Sequence, residues 1–185
     1  VETMKFIWET MITSVKKHTI DDFKKIEEGK ICQFINGEII MSPSPSSKHQ
    51  RVSRRILSQI LIFLENNNMG EVFYAPLDVF FNEENACEPD ILFISKKRLH
   101  IIKEDGVYGA PDLIIEILSP SNSYQDLKTK KKIYEKHGVK EYWIIDPIDG
   151  EAIGFVNNNN AFKEIFCGNN EFQITLLNLK IKFEI

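Results

Sequence analysis

Two acidic residues stand inside otherwise aliphatic runs, Asp90 in EPDILFI and Glu116 in PDLIIEILSP, and a lysine-rich segment, DLKTKKKIYEKHG, follows the second. A lone carboxylate among aliphatic side chains is costly unless a cation or hydrogen-bond donors satisfy it. Two carboxylates brought together by neighbouring strands make a hard-oxygen site suited to Mg²⁺ or Mn²⁺. A lysine added to the pair completes a minimal set for metal-assisted phosphodiester hydrolysis. The competing use of the same residues is a structural ion pair between Glu116 and a lysine or arginine.

Strand alternation puts Asp90, Leu92 and Ile94 on one face and Ile91 and Phe93 on the other. Asp112 and Glu116 share a face but lie ~13 Å apart along an extended strand, too far to bind one ion. The productive pair is therefore Asp90 with Glu116, provided their strands are neighbours. On the following helix, the inward stripe from Leu127 lands on Lys130, Lys131 and Tyr134. Lysines thus occupy two positions where apolar residues are expected. An inward lysine needs a carboxylate partner, and Glu116 lies just upstream; a lysine at the helix edge can instead keep its head in water. Spacing does not choose between Lys130 and Lys131. His49, in the first turn of a preceding helix, can orient a water, contact a phosphate or act as a base; it can equally be a half-buried helix-end histidine. Phosphate-cradling loops, serine hydrolases and zincins lack their motifs here.

The elements that must position these groups follow from local signals. Residues 20–28 predict a short helix stopped by Gly29, and KICQFINGEIIMS a hairpin turning at Asn36-Gly37. Ser46 or Ser47 caps a long amphipathic helix on the stripe Val52, Ile56, Ile60 and Leu64. EVFYAPLDVFF and ACEPDILFIS predict two strands, and Lys96 to Ala110 a charged irregular loop. DLIIEILS is a strand buried on both faces. The lysine helix, the strand EYWIIDP and two or three more strands close the chain, with Asn157 to Asn160 as a hairpin tip. This order predicts an α/β (α+β) domain over 1–185, a mixed central sheet flanked by helices with additional N-terminal and C-terminal hairpins.

The composition, 43% hydrophobic and 27% charged, is that of a globular chain. No apolar run approaches the roughly 20 residues of a bilayer span. The segment VETMKFIWETMITSVKKHT lacks the pattern of a secretion signal, so a cytoplasmic location is expected. Three scattered cysteines suggest neither zinc nor a disulfide framework. A net charge of −4 argues against a protein that coats nucleic acid nonspecifically, yet basic residues cluster at 48–55, 96–103 and 128–140.

Four blocks, NGEIIMSPSPSSKHQ, EPDILFIS, GAPDLIIEILSPS and DLKTKKKIYEKHGVKEYWIIDP, resemble the PD-(D/E)XK nuclease superfamily. Within it they resemble the bacterial family of uncharacterised restriction-endonuclease-like proteins. The resemblance implies a restriction-endonuclease-like fold, a nuclease acting on nucleic acid, with DNA expected, and Mg²⁺ or Mn²⁺ as cofactor. It implies Asp90 and Glu116 as metal ligands, with a backbone carbonyl near Ile117 as a further one. It favours Lys130 over Lys131, and sets Glu38 and His49 in the same cleft. The basic stretches at 48–55 and 96–103 would then track the nucleic-acid backbone. A homodimer is allowed, since nucleases of this fold often cut duplexes as pairs. One departure stands out: Leu118 occupies the place of the strand lysine in E-x-K, so the lysine has to come from the helix. That leaves a catalytically inactive module, binding nucleic acid or a protein partner, as the alternative.

Overall fold

The computed structural model describes residues 18–26, 30–119 and 124–184, so the N-terminal segment considered for a secretion signal lies outside the described residues. Helix α1 (Ile20–Lys24) opens on a capping box, Thr19 accepting from the Asp22 N–H while Asp22 accepts from that of Thr19. Its expected stop, Gly29, is outside the described residues. Strands β1 (Cys32–Ile35) and β2 (Glu38–Met41) form the hairpin. Asn36 and Gly37 both take positive φ, 54° and 81°, the pair that a two-residue turn needs to match strand twist. Helix α2 (Ser47–Asn67) is capped by the Ser46 hydroxyl, and buries His49, Val52, Ile56, Ile60 and Leu64 on one stripe.

The next two expected strands are each split by a proline, which offers no N–H to a ladder. Before Pro76 the chain forms β3 (Gly70–Tyr74), and after it β4 (Val79–Asn82). Before Pro89 it forms β5 (Asn85–Cys87), and after it β6 (Ile91–Ser95). In both cases the two halves belong to different sheets. The segment expected as a loop is ordered as a 3-10 helix (Lys96–Ile101) and a short hairpin, β7 (Ile102–Lys103) with β8 (Gly106–Tyr108). Strand β9 (Leu113–Ile117), helix α3 (Tyr124–His137) and strand β10 (Glu141–Ile145) make a parallel crossover. Four strands follow rather than two or three: β11 (Glu151–Asn158), β12 (Ala161–Asn169), β13 (Glu171–Ile174) and β14 (Leu179–Lys182).

The central sheet runs β12-β11-β10-β9-β6-β3, and the second runs β2-β1-β5-β4-β8-β7. The fold is therefore the expected α/β class with a mixed central sheet; the second sheet was not anticipated. Helix α2 and the β13–β14 hairpin cover one face of the central sheet, over Ile91, Phe93, Leu113, Ile115, Ile117 and Trp143. Helix α3 and the inner face of the second sheet cover the other, over Leu92, Ile94, Ile114 and Tyr142. Strand β9 is thus sandwiched, as its unbroken aliphatic run requires. At Gly154 a Cβ would stand 2.4 Å from the Trp143 ring, so the closeness of β11 to that indole needs glycine. No helix among the described residues is long and apolar enough to cross a membrane.

Candidate active site

The site lies where β6 parts from β9. Their antiparallel ladder ends at Ile91 opposite Ile115. The Ile117 N–H, next in line for a ladder bond, donates instead to Asp90 Oδ2 at 2.7 Å. The Asp90 carboxylate therefore sits close to the plane of the sheet, in the place of the missing strand. Its other oxygen meets His49 Nε2 of α2 at 3.1 Å.

Glu116 approaches from the α3 face. It is 2% exposed, and Lys130 Nζ donates to both of its oxygens at 3.3 Å. The Tyr134 hydroxyl donates to Glu116 Oε1 at 2.6 Å. Lys130 and Tyr134 are one helical turn apart, which is why both reach the same carboxylate. Burial pushes the Glu116 carboxyl above its ordinary range, opposed by Lys130; the charge of Asp90 pushes it further up. Burial, with the Glu116 charge beside it, also raises Tyr134, so the phenol keeps its proton and donates. Lys131 turns elsewhere: its Nζ stands 3.5 Å from the centre of the Phe155 ring, and burial lowers its pKa. Of the two inward lysines, the structure sets Lys130 against Glu116.

For His49, burial opposes the charged form, but the hydrogen bond and charge of Asp90 and the backbone of Ile117 outweigh it. The net effect is a raised pKa. The negative charge of Glu116 adds to the same effect.

His49, Asp90, Glu116 and Lys130 share a cleft of about 310 Å³. Glu38 is not among its lining residues. It follows the Asn36–Gly37 turn, exposed, whereas the hairpin contributes Ile31, Gln33 and Ser42 from its opposite end. The turn end is held away by bonds from the Gly37 N–H to the Glu84 carbonyl and from the Asn36 N–H to Asn85 Oδ1. The acid that joins the cleft instead is Glu88, which burial and the charge of Asp78 raise to about 7. Its one clue in the residues is its place two before Asp90.

The two basic stretches are also separated. His49, Gln50 and Ser53 of α2 line the cleft. Lys96 hydrogen-bonds to Met69 beyond the far end of that helix, about 30 Å away. Only the 48–55 stretch borders the site.

Among the described residues no three His, Cys, Asp or Glu side chains converge as a ligand cluster. Asp90, Glu116 and the Ile117 carbonyl nonetheless fit a small hard cation, since Mg²⁺ uses one or two carboxylates and keeps several waters. The charge of Asp90 acting on Glu116 is the repulsion that a shared cation relieves.

Residues 20–183 match the Uma2 family, described as "Putative restriction endonuclease", and the chain belongs to that family. This agrees with the restriction-endonuclease-like superfamily whose motif residues the sequence carries. The chain is also similar to the crystal structure of "a putative nuclease belonging to DUF820" from Anabaena variabilis ATCC 29413. Identity is 23%, over 89% of this chain and 94% of that one, with a TM-score of 0.74. At that identity the likeness shows a common fold. No curated protein matches the chain.

Proposed function

We propose that this protein is a divalent-metal-dependent endonuclease that hydrolyses phosphodiester bonds in nucleic acid, with DNA as the expected substrate. The observation that carries the reading is the convergence of Asp90, Glu116 and Lys130 on one cleft at the open end of the β6–β9 ladder. Asp90, Glu116 and the Ile117 carbonyl would hold Mg²⁺ or Mn²⁺. Such a cation, when bound, supplies Lewis acidity toward the phosphoryl oxygens and an activated water.

The chain's own groups do the rest. Tyr134 and Lys130 fix both Glu116 oxygens, so the carboxylate enters the cleft in one orientation. Lys130 lines the cleft as well, so its ammonium can orient the attacking water or offset charge building on the phosphoryl group. His49 is a positioning residue: its Nε2 aligns Asp90 Oδ1 while the Ile117 N–H holds Oδ2. Exposed Arg51, Arg54 and Arg55 on α2 offer backbone phosphate contacts that carry no sequence information.

The test is incubation of plasmid DNA and of a single-stranded circular DNA with Mg²⁺ or Mn²⁺. Cleavage is expected from the wild type and not from Glu116→Ala. Cleavage undiminished in Glu116→Ala would sink the mechanism.

A further inference from the structure

The burial of the site bears on which form of nucleic acid reaches it. Glu116 and Lys130 are each 2% exposed, at the floor of a cleft whose volume suits one nucleotide-sized ligand. A B-form duplex, whose major groove alone is about 12 Å wide, is too broad a body to lower its backbone into such a space. A single strand is not. Pro43, Pro45 and Tyr74 are among the cleft's lining residues. Tyr74 is 59% exposed, and among the described residues it is the only large exposed apolar side chain lining this cleft. It lies at the end of edge strand β3, opposite Ile91 and hence beside Asp90. A solvent-facing aromatic next to a phosphodiester site is a stacking surface for a base that has left its partner.

A charge suited to the backbone stands nearby. Gln50 and Ser53 face the cleft, and at about 100° per residue Arg54 continues the Gln50 row one turn on. Arg54 is exposed and holds no carboxylate among the described residues.

We propose that the cleft takes an unpaired stretch of nucleic acid in preference to duplex, one base stacking on Tyr74 and a flanking phosphate held by Arg54. This rests on the nuclease reading for the site's location, but its test is separable from cleavage. Binding is measured by fluorescence anisotropy in Ca²⁺. The probes are a labelled single strand, its duplex, and the duplex carrying a short unpaired bulge. The single strand and the bulged duplex are expected to bind at least tenfold more tightly than the perfect duplex. Tyr74→Ala should weaken single-strand binding about 5- to 150-fold, the loss expected for one stacked base. Tyr74→Phe should retain it, and Arg54→Ala should lower the salt dependence by about one phosphate contact. Tyr74 is an exposed edge-strand residue, and circular dichroism checks that each variant is folded.

Duplex binding as tight as single-strand binding, or a Tyr74→Ala variant that binds like the wild type, overturns the proposal. Glu116-dependent cutting confined to perfect duplex overturns it while leaving the nuclease reading intact. Single-strand preference with Tyr74 dependence, but no cutting of any substrate in Mg²⁺ or Mn²⁺, supports it and removes the nuclease reading instead.

Discussion

Replacing Lys130 with methionine tests the site through stability alone. The substitution keeps most of the side-chain volume but leaves Glu116, 2% exposed, with Tyr134 and without the ammonium that meets both of its oxygens. Removing one partner of a buried ion pair costs about 3–5 kcal/mol. Glu116 can avoid part of that cost by taking a proton. Its folded-state pKa already lies above the ordinary 4.5, and the substitution raises it further. Above pH 4.5 the folded variant then binds more protons than the unfolded chain, so its stability falls as pH rises. The deficit is therefore expected to be smaller at pH 5 than at pH 8, where it reaches about 3–5 kcal/mol. In a chain of this size that is a Tm loss of about 6–20 °C at the upper pH. Thermal melts at both pH values, with and without millimolar Mg²⁺, make the measurement. Mg²⁺ should restore part of the loss at pH 8, because a cation between Asp90 and Glu116 replaces the missing charge. A deficit equal at pH 5 and pH 8 would refute the uncompensated-charge argument, and Mg²⁺ that stabilises neither variant nor wild type would count against a cation site.

Two further outcomes follow from groups around the site. Glu88 is raised from 4.5 to about 7, so the folded state loses stability as pH climbs through that window and loses no more above it. Glu88→Gln should therefore match the wild type below pH 4.5 and exceed it at pH 8, by at most about 3 kcal/mol; urea titrations at the two pH values decide, and equal shifts at both would show that Glu88 charge is not the cause. Gly154→Ala places a Cβ 2.4 Å from the Trp143 ring, and should cost about 1–3 kcal/mol with a changed indole fluorescence; an unchanged Tm would mean that β11 moves away freely.

Much of this architecture is legible in the residues. The stripe Val52, Ile56, Ile60 and Leu64, the Asn36-Gly37 turn and the sandwiched β9 all declare themselves through period, turn chemistry and aliphatic content. The pairing of Asp90 with Glu116 hangs on their strands being neighbours, which the β6–β9 ladder supplies and no local pattern does. The second sheet does not declare itself, because its strands are two to four residues long, too short for a period to show. The sign that was there is proline: Pro76 and Pro89 each fall within a run of strand-forming residues, where a continuous inner strand does not tolerate one. The choice between Lys130 and Lys131 depends on how α3 is rotated against the sheet, since adjacent helix positions differ by about 100°. Only packing resolves that: Tyr134 and Ile133 are buried, and Phe155 takes Lys131. Glu38 and Glu88 depend likewise on which end of the first hairpin faces the cleft, a tertiary fact that no local pattern encodes.

The way Asp90 is held changes how relatives of this chain should be judged. Its carboxylate terminates a β-ladder by accepting the Ile117 N–H, a duty that persists whether or not a phosphodiester is ever cut. A descendant that had lost its activity would still gain by keeping an acid there, so an aspartate at this position is weak testimony to a working enzyme. Glu116 and Lys130 stand the other way. A buried ion pair is often no more stable than apolar residues of the same volume, so the fold alone supplies little reason to retain it. In sorting active members from decayed ones, the informative residues are those the scaffold could most easily do without.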